Sequence, residues 1–72
     1  MKLNYYSDTD SLYIDLSSKK SVDSQEVADG VVIDYDSDGK VTGIDIDHAG
    51  EILDLGELIT NQLPLKKQVL SL

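Results

Sequence analysis

The chain has 72 residues, no cysteine and no arginine, and its fourteen acidic residues against six lysines give a net charge of −8. One domain with a thin core is the most such a chain supports, because this length buries only roughly 60% of the unfolded surface. The composition excludes disulfides and thiolate metal sites, and without arginine it argues against a nucleic-acid-reading surface and against an anionic membrane. No apolar run approaches the roughly 20 residues of a membrane span. A soluble cytoplasmic protein is expected, with carboxylates that keep it in solution or meet a cationic partner.

Lys2 to Tyr6 alternates, with Leu3 and Tyr5 on one side and Asn4 and Tyr6 on the other. Ser7-Asp8-Thr9-Asp10 is a polar turn cluster. Ser11 to Leu16 alternates again, with Leu12, Ile14 and Leu16 facing one way, so residues 2–16 predict a first hairpin. A polar loop follows to Ser21, and Val22 to Ala28 predicts an edge strand or an extended crossing. Asp29-Gly30 is a second turn signal.

Val31 to Asp47, VVIDYDSDGKVTGIDID, predicts the hairpin at the centre of the sheet. Val31, Ile33 and Tyr35 share one parity, Ile44 and Ile46 another, and Asp38-Gly39 supplies the turn because glycine accepts φ > 0. Val41 is out of parity with Ile44 and Ile46. One extra residue near Thr42-Gly43 would return it to the apolar side, which predicts a β-bulge there.

After Asp47 the period changes. Ala49, Ile52, Leu53, Leu55, Leu58 and Ile59 are spaced for a helical face. Asp47 is the expected N-cap. Asp54-x-x-Glu57 resembles a capping box, and Gly56 predicts a break rather than one continuous helix. Beyond Asn61, Pro64 stops any helix, and Leu63, Leu65, Val69, Leu70 and Leu72 make an apolar tail around Lys66 and Lys67.

Few motifs carry chemistry. Asp34-x-Asp36-x-Asp38-Gly39 matches the first half of a calcium loop, with Asp45 at the twelfth place where a Glu is usual. Such a loop sits between helices, whereas both flanks here alternate like strands, so a polar hairpin turn accounts for it and a weak cation site is the alternative. Asp8 and Asp10 suit turn chemistry better than acid–base work. His48, the sole histidine, stands near Asp45, Asp47 and Glu51 with no nucleophile to serve. The four tyrosines lack a basic groove beside them and read as sheet residues.

Tyr6-Ser7-Asp8-Thr9-Asp10-Ser11-Leu12-Tyr13-Ile14 resembles the opening motif of a family of small, mostly bacterial proteins catalogued as domain-of-unknown-function family 2283. Further blocks match in order: Glu26-Val27, Gly30-Val31 with Asp34-Tyr35-Asp36, then Asp38-Gly39 with Gly43-Ile44 and Ile46. Ala49 to Leu53 is similar to the family's Ala-Ser-x-x-Leu, with Gly50 in place of Ser. The resemblance spans roughly residues 4–59 and leaves the tail outside. It implies no catalytic residues. Similar small proteins beside toxin-like partners imply, by association, an antitoxin-like role.

The expected architecture is α+β: residues 1–60 form a small antiparallel β-meander of four or five strands with a C-terminal helical segment packed on one face, and residues 61–72 form a tail on its own domain or on a partner. The expected role is a non-enzymatic protein-interaction module. It would act as a homodimer through an edge strand or the tail, or as an antitoxin-like partner of a basic protein. Weak calcium or magnesium binding at Asp34, Asp36, Asp38 and Asp45 is the alternative. No catalytic residue, cofactor, nucleic acid or membrane partner is expected.

Overall fold

Strands form where side chains alternate: β1 Lys2–Tyr6, β2 Ser11–Asp15, β3 Asp23–Ala28, β4 Val31–Tyr35 and β5 Val41–Ile46, followed by one helix, α1 Ala49–Ile52. The computed structural model describes residues 1–72. All pairings are antiparallel. The sheet order is β1-β2-β5-β4-β3, which corrects the expected single meander. A hairpin, β1–β2, is joined to a three-strand meander, β3–β4–β5, by pairing of β2 with β5. The reason lies in the side chains. Leu12 and Ile14 of β2 stand opposite Ile46 and Ile44 of β5. Cross-strand apolar pairs are what stabilise adjacent strands. β3, reading DSQEVA, offers no such row and is exposed along its whole length at the edge.

The register separates two faces, because paired residues point the same way and alternate along each strand. Leu3, Tyr5, Leu12, Ile14, Val31, Ile33, Ile44 and Ile46 share the apolar face. Asn4, Tyr6, Tyr13, Asp34, Asp45 and Ser24 share the polar face.

The bulge in β5 forms where parity requires it. Asp34 pairs with Gly43 but Tyr35 pairs with Val41, leaving Thr42 as the extra residue and returning Val41 to the apolar side. The bulge also gives Thr42 work to do. Its carbonyl accepts the N–H groups of Leu16 and Ser17, which turns the chain after β2. Its buried hydroxyl lies 2.7 Å from that of Ser21. A second irregularity, at Val27 of β3, bends the outer edge. The Asp38-Gly39 and Asp29-Gly30 turns close as expected, both glycines at φ 76.

The core is small. Leu12, Ile46 and Ala49 are the three buried hydrophobic residues, with Ile14, Val31, Ile44 and Leu53 packed against them. The expected helical run to Ile59 is not formed. α1 has four residues, and Leu53 is already extended at φ −116, ψ 153. Helices this short have no stability of their own, and Gly50 and Gly56 weaken any extension. Leu55, Leu58 and Ile59 are exposed, and Asp54 and Glu57 flank a simple turn instead of capping a second helix. His48, in the left-handed region at φ 50, occupies the N-cap position expected for Asp47. The Asp47 carboxylate instead accepts the Ser11 hydroxyl at 3.1 Å, and its N–H bonds the carbonyl of Gly30. Residues 53–72 carry no helix or strand. No helix is long and apolar enough to cross a membrane.

Candidate functional site

The four carboxylates of the calcium-like motif do not converge. Asp36 is buried in the β4–β5 turn, where one oxygen accepts the N–H groups of Asp38 and Lys40 at 2.9 and 3.0 Å. The Lys40 N–H, the Asp38 N–H and the charges of Lys19 and Lys40 hold its carboxyl below the usual range, against a contrary push from partial burial. Asp38 stands exposed at the turn. Asp45 is exposed on β5, opposite Val32 and Tyr13. No group of three or more His, Cys, Asp or Glu side chains is placed to hold a metal ion.

Asp34 belongs to a different arrangement on the polar face. One oxygen accepts the Tyr13 hydroxyl at 2.9 Å and the other accepts the Ser24 hydroxyl at 2.6 Å. A single carboxylate therefore links β2, β4 and β3 across the intervening β5. Tyr13 reaches it by lying over Gly43, where a Cβ would overlap the phenol oxygen. Gly43 is thus a close-approach glycine, required by the ring above it. Gly43→Ala is expected to displace Tyr13 from Asp34 and to cost about 1–3 kcal/mol by overpacking. Urea unfolding checks it, and a Tyr13→Phe background should reduce the added cost if the lost bond contributes.

Asp10 ties the start of α1 to the sheet. It sits in the left-handed region at φ 52, which Asp tolerates through local hydrogen bonding. Its carboxylate accepts the Gly50 N–H with both oxygens, at 3.0 and 3.1 Å, and the Tyr5 hydroxyl at 2.8 Å. Its carbonyl accepts the Ala49 N–H at 2.8 Å. The turn reading of Asp10 is correct in kind, since it binds amides, but those amides lie forty residues away. His48 caps the same helix from an exposed position with no side-chain capping bond.

The phenols give the sheet a pH limit. The hydrogen bond to Asp34, then burial, then the charges of Asp34, Asp15 and Asp45 raise the Tyr13 pKa. The bond to Asp10, then burial, then the charge of Asp10 raise that of Tyr5. A raised phenol pKa means the folded state holds its proton longer than the unfolded chain. The associated stability is therefore complete below the ordinary value of about 10 and is lost as pH rises through the raised values. Asp36 works in the opposite sense: its contribution is present above about 4 and is lost as pH falls through the lowered value. Unfolding midpoints measured against pH should decline at both extremes. Tyr13→Phe should flatten the alkaline decline, and a variant with an unchanged slope would contradict it.

Neither the Tyr13–Asp34–Ser24 linkage nor the Asp10 clasp was evident from composition or periodicity. The pattern Asp10-x-Leu12-Tyr13-Ile14 together with Gly43 contained their signal. The remaining surface feature is apolar. Leu3 and Tyr5 of β1 are each 49% exposed, and a cleft of about 870 Å³ separates β1 from residues 58–71. Its lining includes Leu3, Tyr5, Tyr6, Leu63, Leu65 and Val69.

Among known proteins, the family described as "Protein of unknown function (DUF2283)" matches residues 2–49. No curated protein and no solved structure matches the chain. The matched residues hold all five strands, the Asp10–Ala49 junction and the Tyr13–Asp34–Gly43 contact. By sequence, this chain belongs to the DUF2283 family.

Proposed function

We propose that this chain is a non-enzymatic protein-interaction module whose sheet is completed by another protein chain. One observation carries the reading. The chain, whose residues 54–72 are exposed throughout, shows 6087 Å² of surface, whereas a compact monomer of 7.9 kDa exposes about 4,400 Å², leaving about 1,700 Å² for a partner to cover on the sheet and the tail together. A standard interface takes roughly 800 Å² from each partner. α1 and Leu53 begin a second layer over the apolar face, and the partner extends it. A cytoplasmic setting suits a chain with no cysteine. The excess of carboxylates directs any unlike partner toward a basic protein, which is the antitoxin-like form of the reading. Of the four carboxylates of the alternative cation reading, Asp34 and Asp36 serve hydrogen bonds within the sheet and turn.

Light scattering on the full chain, alone and titrated with a basic protein at physiological salt, tests the proposal. A species heavier than 7.9 kDa, or saturable binding that weakens with added salt, supports it. A folded monomer that binds no basic protein overturns it.

A further inference from the structure

The two edges of the sheet are built differently. β3 carries Asp23 and Glu26 and is bent by the irregularity at Val27. Charge and bulging are the usual means of blocking strand addition. β1, reading KLNYY, has no bulge and a single charge, Lys2, at its end, and its pairing with β2 is continuous from Lys2 to Tyr6. No backbone hydrogen bond joins its outer side to the tail.

Charge is distributed along the chain in a way that bears on the same edge. All fourteen acidic residues lie between Asp8 and Glu57, so residues 1–57 carry −10 and residues 58–72, with Lys66 and Lys67, carry +2. The cleft between β1 and the tail contains Lys2 and Lys67 and no carboxylate among its lining residues. Two copies of an acidic chain repel over most of their surfaces. They approach at least electrostatic cost through this acid-free edge. The tail leaves its own apolar groups uncovered: Leu65 is 49% exposed, Val69 69% and Leu70 85%. An excess of about 1,700 Å² is also more than a small apolar ligand would cover, and it suffices for a chain-sized partner.

We propose that a second copy of this chain occupies the cleft: β1 pairs with β1 of the other copy across a two-fold axis, and the two tails close over the joint. The contact uses the same surface on both copies, as a closed dimer requires. This inference rests on the interaction reading above and names its partner and its edge.

The test uses the full chain and the double variant Leu65→Asp/Val69→Asp. Both positions are exposed in the single chain and lie outside the family-matched residues 2–49, so the sheet should still fold. Mass by light scattering is read together with amide exchange of Lys2–Tyr6. The expected result is a dimer of the native chain with protected β1 amides. The variant should dimerise at least about 100-fold more weakly, because the apolar contacts of Leu65 and Val69 across the joint are lost and polar groups must be desolvated in their place. Its β1 amides should exchange while those of β4 and β5 stay protected. A dimer that survives the double substitution overturns this edge and leaves the interaction reading intact. A monomeric native chain overturns the inference as well, and the interaction reading then stands or falls on the basic-protein titration.

Discussion

Asp10→Ala is expected to destabilise the fold by about 2–4 kcal/mol, by removing the carboxylate that holds α1 to the sheet. Two effects combine. The Gly50 N–H and the Tyr5 hydroxyl lose a charged acceptor, and because these bonds are solvent-exposed their loss falls at or below the low end of the charged-bond range, about 1.5 kcal/mol. Alanine must also adopt φ 52, where a Cβ clashes with the following carbonyl at a cost of about 1–2 kcal/mol. Two further variants separate these terms. Asp10→Gly keeps the backbone and loses the acceptor. Asp10→Asn keeps the backbone preference and one acceptor oxygen, and should cost least. Urea unfolding should rank the series Ala, Gly, Asn from most to least destabilised. A harmless Asp10→Gly would show that the clasp contributes nothing beyond permitting the turn.

Leu12→Ala should cost about 2–5 kcal/mol, because it removes one of the largest side chains from a core that has almost none to spare. Leu12 is 7% exposed and stands between Tyr5 and Ile46, with Ala49 in the same cluster. Only three hydrophobic residues are buried, with Ile14, Val31, Ile44 and Leu53 packed against them, so Leu12 is a large share of the core. Against a total stability of about 5–15 kcal/mol, that loss should lower the urea midpoint by a large fraction of its native value. Ile33→Ala supplies the comparison. Ile33 lies on the same face but is only half-buried and outside the cluster. Its truncation should cost about 1 kcal/mol in a monomer. If Ile33→Ala also costs about 2–5 kcal/mol, the apolar face is covered by another chain in solution. Equal and small costs at both sites would refute the core described here.

The strands, their turns and the β5 bulge were legible in the sequence because each depends on neighbours within a few residues. Alternation at Leu12, Ile14 and Leu16 sets which face a strand buries, and Asp38-Gly39 provides the positive φ of a tight turn. Val41 could regain its parity only through an extra residue beside Gly43, and Thr42 is that residue. What residues far apart in the chain decide was not legible. The pairing of β2 with β5 follows from matching apolar rows that are thirty residues apart, while the intervening β3 has no such row to offer. The helical spacing from Ala49 to Ile59 was genuine as a pattern, but a helix persists only when its apolar face finds a surface. Here only Ala49 and Leu53 reach one. The carboxylates show the same division. Spacing put Asp34, Asp36, Asp38 and Asp45 in one calcium-like pattern, and strand geometry sends Asp34 to Tyr13 and Ser24 and turns Asp36 onto its own loop. Asp10 looked like an ordinary turn residue and became a clasp because folding brings Gly50 to it. Local periodicity determined the elements of this protein, and the partners of its charged side chains were decided by tertiary contact, since a carboxylate bonds whichever donor the fold brings within about 3 Å.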